Sequence, residues 1–152
     1  MPGPGNALTP HRARFDELTL RDLYDVLALR VRVFVVEQEC AYQELDGQDA
    51  RAEHVWTRGP AGEIAAYLRV LDEGDRVTRL GRIVTAPEHR GTGAGAALVR
   101  AVLADIDEHA DRGSVVLGAQ VQARGFYERF GFAVDGPPYD EDGIPHVPMR
   151  RP

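Results

Sequence analysis

Hydrophobic residues in this chain recur at two spacings, one typical of helices and one typical of strands. Leu20, Leu23 and Leu27 lie three or four residues apart and follow Thr19, which predicts a capped helix with one apolar face. A second helix is predicted over residues 92–109, where the sequence is rich in alanine and leucine. Each helix is expected to bury its apolar stripe.

Short apolar runs predict the strands. Residues 54–58 and 63–71 flank the turn sequence Gly-Pro-Ala-Gly, and this arrangement predicts a hairpin. Residues 77–85 predict the next strand. Further strands are expected at residues 14–18, 114–117 and 132–134. A short third helix is expected to end at Phe130, and the polar, acidic residues 39–51 predict a loop with some helical turns.

Length and composition indicate one domain. The 152 residues can form a core without metal or disulfide, and no repeat or linker divides them. One domain is therefore expected over residues 13–152, after a flexible Pro- and Gly-rich leader of residues 1–12. No apolar run is long enough for a membrane helix or a signal peptide, and the single Cys40 suits a reducing compartment. A cytoplasmic protein without membrane contact is expected.

The charged residues exclude several kinds of chemistry. A net charge of −6 argues against nucleic acid as the main partner, because phosphate binding needs a basic surface. All 18 basic residues are arginine, so the chain can form no Schiff base through lysine and has no Walker loop. Cysteine and histidine residues lack the paired spacing of metal ligands, and no metal site is expected.

A glycine-rich segment joins the strand at residues 77–85 to the second helix. Residues 90–95 read Arg-Gly-Thr-Gly-Ala-Gly, so main-chain amides can approach an anion at the positive end of the helix. The spacing differs from that of a dinucleotide fingerprint. The sequence predicts a phosphate cradle, and the simpler alternative is a turn that only packs a helix on a sheet.

The spacing Arg-x-x-Gly-x-Gly, carried by Arg90, Gly93 and Gly95, resembles the pyrophosphate loop of the GNAT N-acetyltransferases. Residues 118–132 follow in the right order and are similar to the second CoA-side motif of that family, which ends in Tyr-Glu-x-x-Gly-Phe. Gln120 departs from the pattern, because the family often has Asn there. Two further segments look like the ElaA-like branch of this family. They are residues 33–49 and 139–149.

The resemblance implies a single-domain α/β GNAT fold, with a mixed central sheet, splayed middle strands and flanking helices. It also implies that acetyl-CoA is the co-substrate and that an acetyl group passes directly to a primary amine of a small molecule or peptide. The residues expected to bind acetyl-CoA are Ile83, Val84, Thr85, Arg90, Gly91, Thr92, Gly93, Ala94, Gly95, Ala96 and Gln120.

Tyr127 is the proton donor that the resemblance implies for the departing thiolate; the alternative is a core tyrosine. The general base stays open between Glu37, His54 and His146, each of which is more often structural when taken alone. Contacts with the acceptor are expected from four residues. They are Phe34, Gln38, Asp46 and His146.

Two acidic clusters flank the expected acceptor pocket. They are Glu37, Glu44, Asp46 and Asp49 in the first, and Glu141 and Asp142 in the second. If both line its mouth they favour a cationic amine; otherwise they are solvated loops.

Three other interpretations are open. One is an acyltransferase like the acyl-homoserine lactone synthases, although the chain offers few basic residues for docking an acyl carrier. Another is a non-catalytic module that binds acyl-CoA, against which Tyr127 argues. Cys40 could also carry the acyl group, but no base is adjacent to it in sequence.

Overall fold

A mixed sheet forms the centre of the protein. The structure is a computed structural model that describes residues 8–109 and 113–152. Within these residues eight strands pair in the order β1-β2-β3-β4-β5-β8-β6, and β7 also pairs with β8. The strands are β1 (His11–Arg14), β2 (Glu53–Arg58), β3 (Ile64–Asp72), β4 (Val77–Thr85), β5 (Ser114–Gln120), β6 (Ala133–Val134), β7 (Tyr139–Glu141) and β8 (Ile144–Arg151).

Three α-helices accompany the sheet in the described residues. They are α1 (Leu20–Arg30), which continues as a π-helical segment (Val31–Glu37), α2 (Ala94–Asp107) and α3 (Arg124–Glu128). The Oγ1 of Thr19 accepts the amide of Asp22 at 3.0 Å, which confirms the predicted cap. None of the described helices combines the length and the apolar character needed to cross a membrane.

The two long helices cover opposite faces of the sheet. Residues of β2, β3 and β4 contribute to two buried clusters, and β3, which is buried on both faces, reads as a nearly continuous apolar run. The cluster under α2 includes Val55, Leu68, Leu80, Leu98 and Val102. The cluster under α1 includes Val26, Leu29, Trp56, Tyr67 and Val84. The predicted α/β fold with flanking helices is confirmed.

Strands β4 and β5 separate along most of their length. They run parallel, yet only residues 77–79 of β4 pair with residues 114–116 of β5. A bulge lies further along β4, because Tyr67 pairs with Val84 whereas Arg69 pairs with Gly81. An extra residue of this kind bends a strand locally. The middle strands are therefore splayed, as expected.

The amino-terminal and carboxy-terminal elements differ from the expectation. The strand predicted at residues 14–18 lies earlier, at His11–Arg14, and a 3-10 turn, Phe15–Glu17, follows it. Residues 1–7 of the predicted leader lie outside the described residues, but its residues 11 and 12 pair with β2. The β7–β8 hairpin lies in a polar, proline-containing tail. These strands were difficult to predict because most of their residues are exposed or interrupted by proline.

Candidate active site

A cavity of about 810 Å³ lies where β4 and β5 separate. Its volume lies within the range of small-molecule sites, about 300–1,000 Å³. It brings together ten of the residues predicted to act at the site. They are Phe34, Gln38, Asp46, Ile83, Val84, Thr85, Arg90, Gln120, Tyr127 and His146.

The glycine loop opens next to this cavity, between Arg90 and α2. Gly91 and Gly93 have φ of +78° and +84°, and a Cβ at either position would meet no described heavy atom within 4 Å. Gly93 caps α2, and Ala94, Gly95 and Ala96 form its first turn. The helix was predicted to start at Thr92, which lies just before it. The first amides of a helix lack partners within it. The Ala94 amide donates to the Oγ1 of Thr92 at 3.3 Å, and the space beside Gly91 and Gly93 is open, as an anion cradle requires.

Gly95 allows a close approach between α2 and β4. A Cβ on this residue would lie 2.4 Å from the Oγ1 of Thr85, closer than any real contact. Two glycines of the loop thus serve different purposes: Gly93 supplies a left-handed backbone, and Gly95 leaves room for Thr85 at the end of the cavity-lining strand.

Glu37 pairs with the cation of the cradle. The two terminal nitrogens of the Arg90 guanidinium, Nη1 and Nη2, donate to its carboxylate at 2.5 and 2.8 Å. The hydrogen bond from Arg90 holds the pKa of Glu37 below its ordinary value. A carboxylate with a lowered pKa is a weaker proton acceptor, so this geometry does not fit the interpretation of Glu37 as the general base.

Tyr127 lies on α3 and lines the cavity, with only 8% of its surface exposed. The rings of Phe126 and Phe132 contact its ring edge to face, with centroids at 5.0 and 6.2 Å. Burial raises the pKa of Tyr127 to about 12. The phenol therefore keeps its proton at neutral pH, as a general acid must before it reacts.

His54 lies inside the protein and is not among the residues that line the cavity. Its Nδ1 is 2.7 Å from the Oη of Tyr67, and its Nε2 is 3.0 Å from the main-chain oxygen of Asp49. Burial lowers the pKa of His54. With both ring nitrogens engaged away from the cavity, the interpretation of His54 as the base does not fit the structure.

His146 is the only one of the three candidate bases, Glu37, His54 and His146, that lines the cavity. Its Nδ1 lies 2.7 Å from the carbonyl oxygen of Ile144, and a carbonyl only accepts, so Nδ1 carries a proton. The Nε2 atom lies 3.5 Å from the Oε2 of Glu141. The ring also stacks on Tyr139 with centroids 5.6 Å apart. Three neighbours thus fix the orientation of this imidazole.

Gln38 and Gln120 meet across the cavity. The Nε2 of Gln120 donates to the Oε1 of Gln38 at 3.2 Å. The side chain at the position where the family often has Asn therefore contacts a residue predicted to bind the acceptor. This hydrogen bond connects the predicted acetyl-CoA side of the site, at Gln120, to the predicted acceptor side, at Gln38.

Three arginines neutralise most of the first acidic cluster. Glu44 accepts hydrogen bonds from Arg30 at 2.5 Å and from Arg82 at 2.8 Å. The carboxylates of Asp46 and Asp49 contact Arg69 at 2.6 and 3.0 Å, and Asp49 also contacts Arg30 at 2.7 Å. The hydrogen bond from Arg69 lowers the pKa of Asp46. These acids form a structural network, so they do not present free charge to an acceptor.

Glu141 and Asp142 line the cavity without such arginine partners in the described structure. Cys40 lines it too, and its Sγ donates to the main-chain oxygen of Asp142 at 3.2 Å. Among residues 8–109 and 113–152, no three His, Cys, Asp or Glu side chains are grouped so that they could hold a metal ion.

Comparisons with known proteins agree with this arrangement. A family profile described as an acetyltransferase (GNAT) domain matches residues 22–151. The chain belongs to the GNAT acetyltransferase family. This GNAT domain is 44% identical over 141 residues to a UPF0039 protein of Mycobacterium tuberculosis, which covers 90% of this chain and 88% of that protein. It is 38% identical over 138 residues to Protein ElaA of Escherichia coli, with 89% and 90% covered.

Solved structures show the same GNAT architecture. The crystal structure of an acyl-CoA N-acyltransferase from Pseudomonas aeruginosa matches with a TM-score of 0.88 at 38% identity, covering 95% of this chain and 99% of that one. The crystal structure of E. coli ElaA matches with a TM-score of 0.87 at 35% identity and the same coverage. The resemblance to the ElaA-like branch is confirmed, and the GNAT domain belongs to a family whose co-substrate is an acyl-CoA.

Proposed function

We propose that the chain is a cytoplasmic N-acetyltransferase that moves an acetyl group from acetyl-CoA to a primary amine by direct transfer in a ternary complex. One observation carries the proposal: a single cavity contains a buried phenol and an oriented imidazole, and its wall includes Arg90, the residue that leads into the open glycine cradle. Each of these supplies one requirement of acetyl transfer to an amine.

The cradle and β4 would hold acetyl-CoA, which supplies the acetyl thioester. Gly91 and Gly93 leave space for the pyrophosphate at the start of α2, and Arg90 adds positive charge. Beyond residue 79 no main-chain pairing joins β4 to β5. On the side that faces β5, the described part of β4 beyond residue 79 therefore has no strand partner, and the main-chain groups on that edge, around Ile83, would be available to the pantetheine arm.

Proton transfers would be divided between two side chains. The Nε2 of His146 accepts a proton from the ammonium form of the acceptor, and the free amine then attacks the acetyl carbonyl carbon. A main-chain amide of the bulge, at Ile83, can donate to the oxygen that becomes negative. The carbon–sulfur bond breaks, and the thiolate takes the phenolic proton of Tyr127. The amine loses its second proton to solvent.

The acceptor would be a cationic amine on a small molecule or a peptide. Glu141 and Asp142 line the cavity, whereas the other acids of the two clusters are paired with arginine. Carboxylates at the mouth of a cavity attract a cation before it binds. The electrostatic part of this attraction should weaken as salt is added.

The test is a panel of primary amines, cationic and neutral, incubated with acetyl-CoA while released thiol is measured. We expect thiol release with cationic amines, and a higher KM for them at high salt. The Asp142→Asn variant should lose much of the salt effect, and asparagine tolerates the positive φ of this residue, +51°.

Other outcomes would favour the alternatives. Binding of CoA without thiol release from any amine would overturn the proposal and favour a non-catalytic binding module. Activity with an acyl-carrier protein as donor, and none with acetyl-CoA, would favour an acyltransferase like the acyl-homoserine lactone synthases.

A further inference from the structure

Arg82 adopts a backbone conformation that is unfavourable for its side chain. It lies in the bulge of β4 with a φ of +49°, in the left-handed region that non-glycine residues rarely occupy. Together with Ile83 it stands opposite the single residue Leu68 of β3. Such a conformation persists only where the surrounding structure holds it. The contacts of the Arg82 side chain identify the residues that hold its backbone in this conformation.

These contacts all come from one segment, residues 38–48, which we term the acceptor loop. The Nε of Arg82 lies 2.8 and 2.9 Å from the two carboxylate oxygens of Glu44. Its Nη2 lies 3.2 Å from the main-chain oxygen of Glu44 and 3.3 Å from the Oδ2 of Asp46. The guanidinium also lies over the ring of Tyr42, 5.7 Å from its centroid. The loop clamps this side chain on several sides.

The acceptor loop is itself anchored to the rest of the fold. Glu44 is 3% exposed and accepts the Nη2 of Arg30 at 2.5 Å, while the Oη of Tyr42 donates to it at 2.6 Å. Asp46 is fixed by Arg69 of β3. The loop supplies six residues to the cavity wall. They are Gln38, Cys40, Tyr42, Gln43, Asp46 and Gln48.

We propose that Arg82 is a positioning residue that couples the acceptor loop to the part of β4 that would hold acetyl-CoA. The inference rests on the proposed function for the identity of that ligand. When the clamp is intact, the loop and the bulge are ordered together. Because coupling between two sites is reciprocal, occupation of the strand by acetyl-CoA tightens the loop, and loss of the clamp weakens acetyl-CoA binding.

The decisive variant is Arg82→Gly. Glycine adopts a positive φ without strain, so the bulge itself can form while the clamp is lost. Glu44 keeps Arg30, and Asp46 keeps Arg69, so the fold should survive. A second variant, Tyr42→Leu, weakens the clamp from the loop side and leaves the backbone of β4 unchanged. The control is Arg150→Ala on β8, which removes an exposed ion pair with Asp135.

Two measurements separate coupling from structural damage. Titration calorimetry gives the affinity for acetyl-CoA, which we expect to fall about tenfold in Arg82→Gly and Tyr42→Leu. Hydrogen exchange of residues 42–48 gives the order of the loop. Acetyl-CoA should protect these amides in the parent chain and in Arg150→Ala, and should protect them much less in the two clamp variants.

Each outcome either supports or overturns the positioning role of Arg82. Equal affinity and equal loop protection in the parent and in Arg82→Gly or Tyr42→Leu would overturn the inference and leave the proposed function intact. Failure of the parent to bind acetyl-CoA at all would overturn both. If Arg82→Gly does not fold, Tyr42→Leu supplies the same comparison.

Discussion

The guanidinium of Arg90 and the carboxylate of Glu37 form a paired contact, with Nη1 at 2.5 Å from Oε1 and Nη2 at 2.8 Å from Oε2. The contact joins the π-helical end of α1 to the first residue of the glycine loop. Arg90 lowers the pKa of Glu37 through this hydrogen bond, so the carboxylate stays charged. A bound pyrophosphate and Glu37 would therefore compete for one cation.

We accordingly expect Glu37→Gln to bind CoA severalfold more tightly than the parent, because the variant removes a negative charge beside the cradle. The pH profile of turnover should not change, since we propose His146 as the base. Titration calorimetry at low salt and a pH series of rates provide the two measurements. A variant whose rate no longer depends on pH would restore Glu37 as the base.

Tyr127→Phe should lower turnover by about 10² or more, the usual scale of general acid catalysis, while acetyl-CoA affinity changes little. The matched control is Tyr67→Phe, which removes a buried hydroxyl that contacts His54 at 2.7 Å outside the cavity. The control should lose stability but keep its turnover per folded molecule. Equal losses of affinity and turnover in Tyr127→Phe would indicate a packing role instead.

His146→Gln tests the base. In the parent, turnover divided by the KM of the amine should rise with pH, because the imidazole must be unprotonated to accept a proton and the amine must be neutral to attack. The variant should lose about 10² in this ratio and much of the rise. His109→Gln, at an exposed position two residues beyond α2, controls for the loss of an imidazole. An unchanged profile in His146→Gln would mean that water is the base.

The contact between Gly95 and Thr85 predicts a compensated pair of substitutions. Gly95→Ala places a Cβ 2.4 Å from the Thr85 hydroxyl, and overpacking of this kind costs about 1–3 kcal/mol. In a Thr85→Ala background the clash disappears, so the second substitution should cost much less. Denaturant unfolding of the four chains measures the coupling. Gly125→Ala, where α3 has open space, should be nearly neutral, and additive losses would contradict the packing described here.

His54 should affect stability and not the reaction. Burial holds its pKa below the ordinary 6.5, so the unfolded chain takes up a proton at this position before the folded chain does. Stability should then fall as the pH drops below 6.5. In His54→Gln that part of the decline should be absent, while the pH profile of turnover is kept. Thermal unfolding at several pH values checks the first point, and loss of the turnover profile would contradict the second.

Much of the fold could be predicted because local patterns and the family resemblance agree. The helix after Thr19 and the strand pair around residues 59–62 follow from spacing alone. The end of the chain was harder, because Pro145 and Pro148 interrupt β8 and its partner β7 is exposed. No periodic signal marks either strand.

The open glycine turn before α2 could be predicted, since glycines and an arginine at fixed spacing carry it. The charge network could not, because its six members come from α1, the acceptor loop, the 3-10 turn that begins at Asp49, β3 and β4, which only the fold brings together. One signal was present: Arg30 falls four residues after Val26 and four before Phe34, on a partly buried stripe. A charge at such a position needs a buried partner.

The short pairing of β4 and β5 also bears on how long the protein lasts in a cell. Three residue pairs and the core beneath α2 connect the two parts of the sheet, and on the proposed function acetyl-CoA would lie in the gap between them. A ligand that binds only the folded state raises its population. The number of molecules that escape proteolysis would then follow the supply of acetyl-CoA, so a starved cell would lose the enzyme together with its donor.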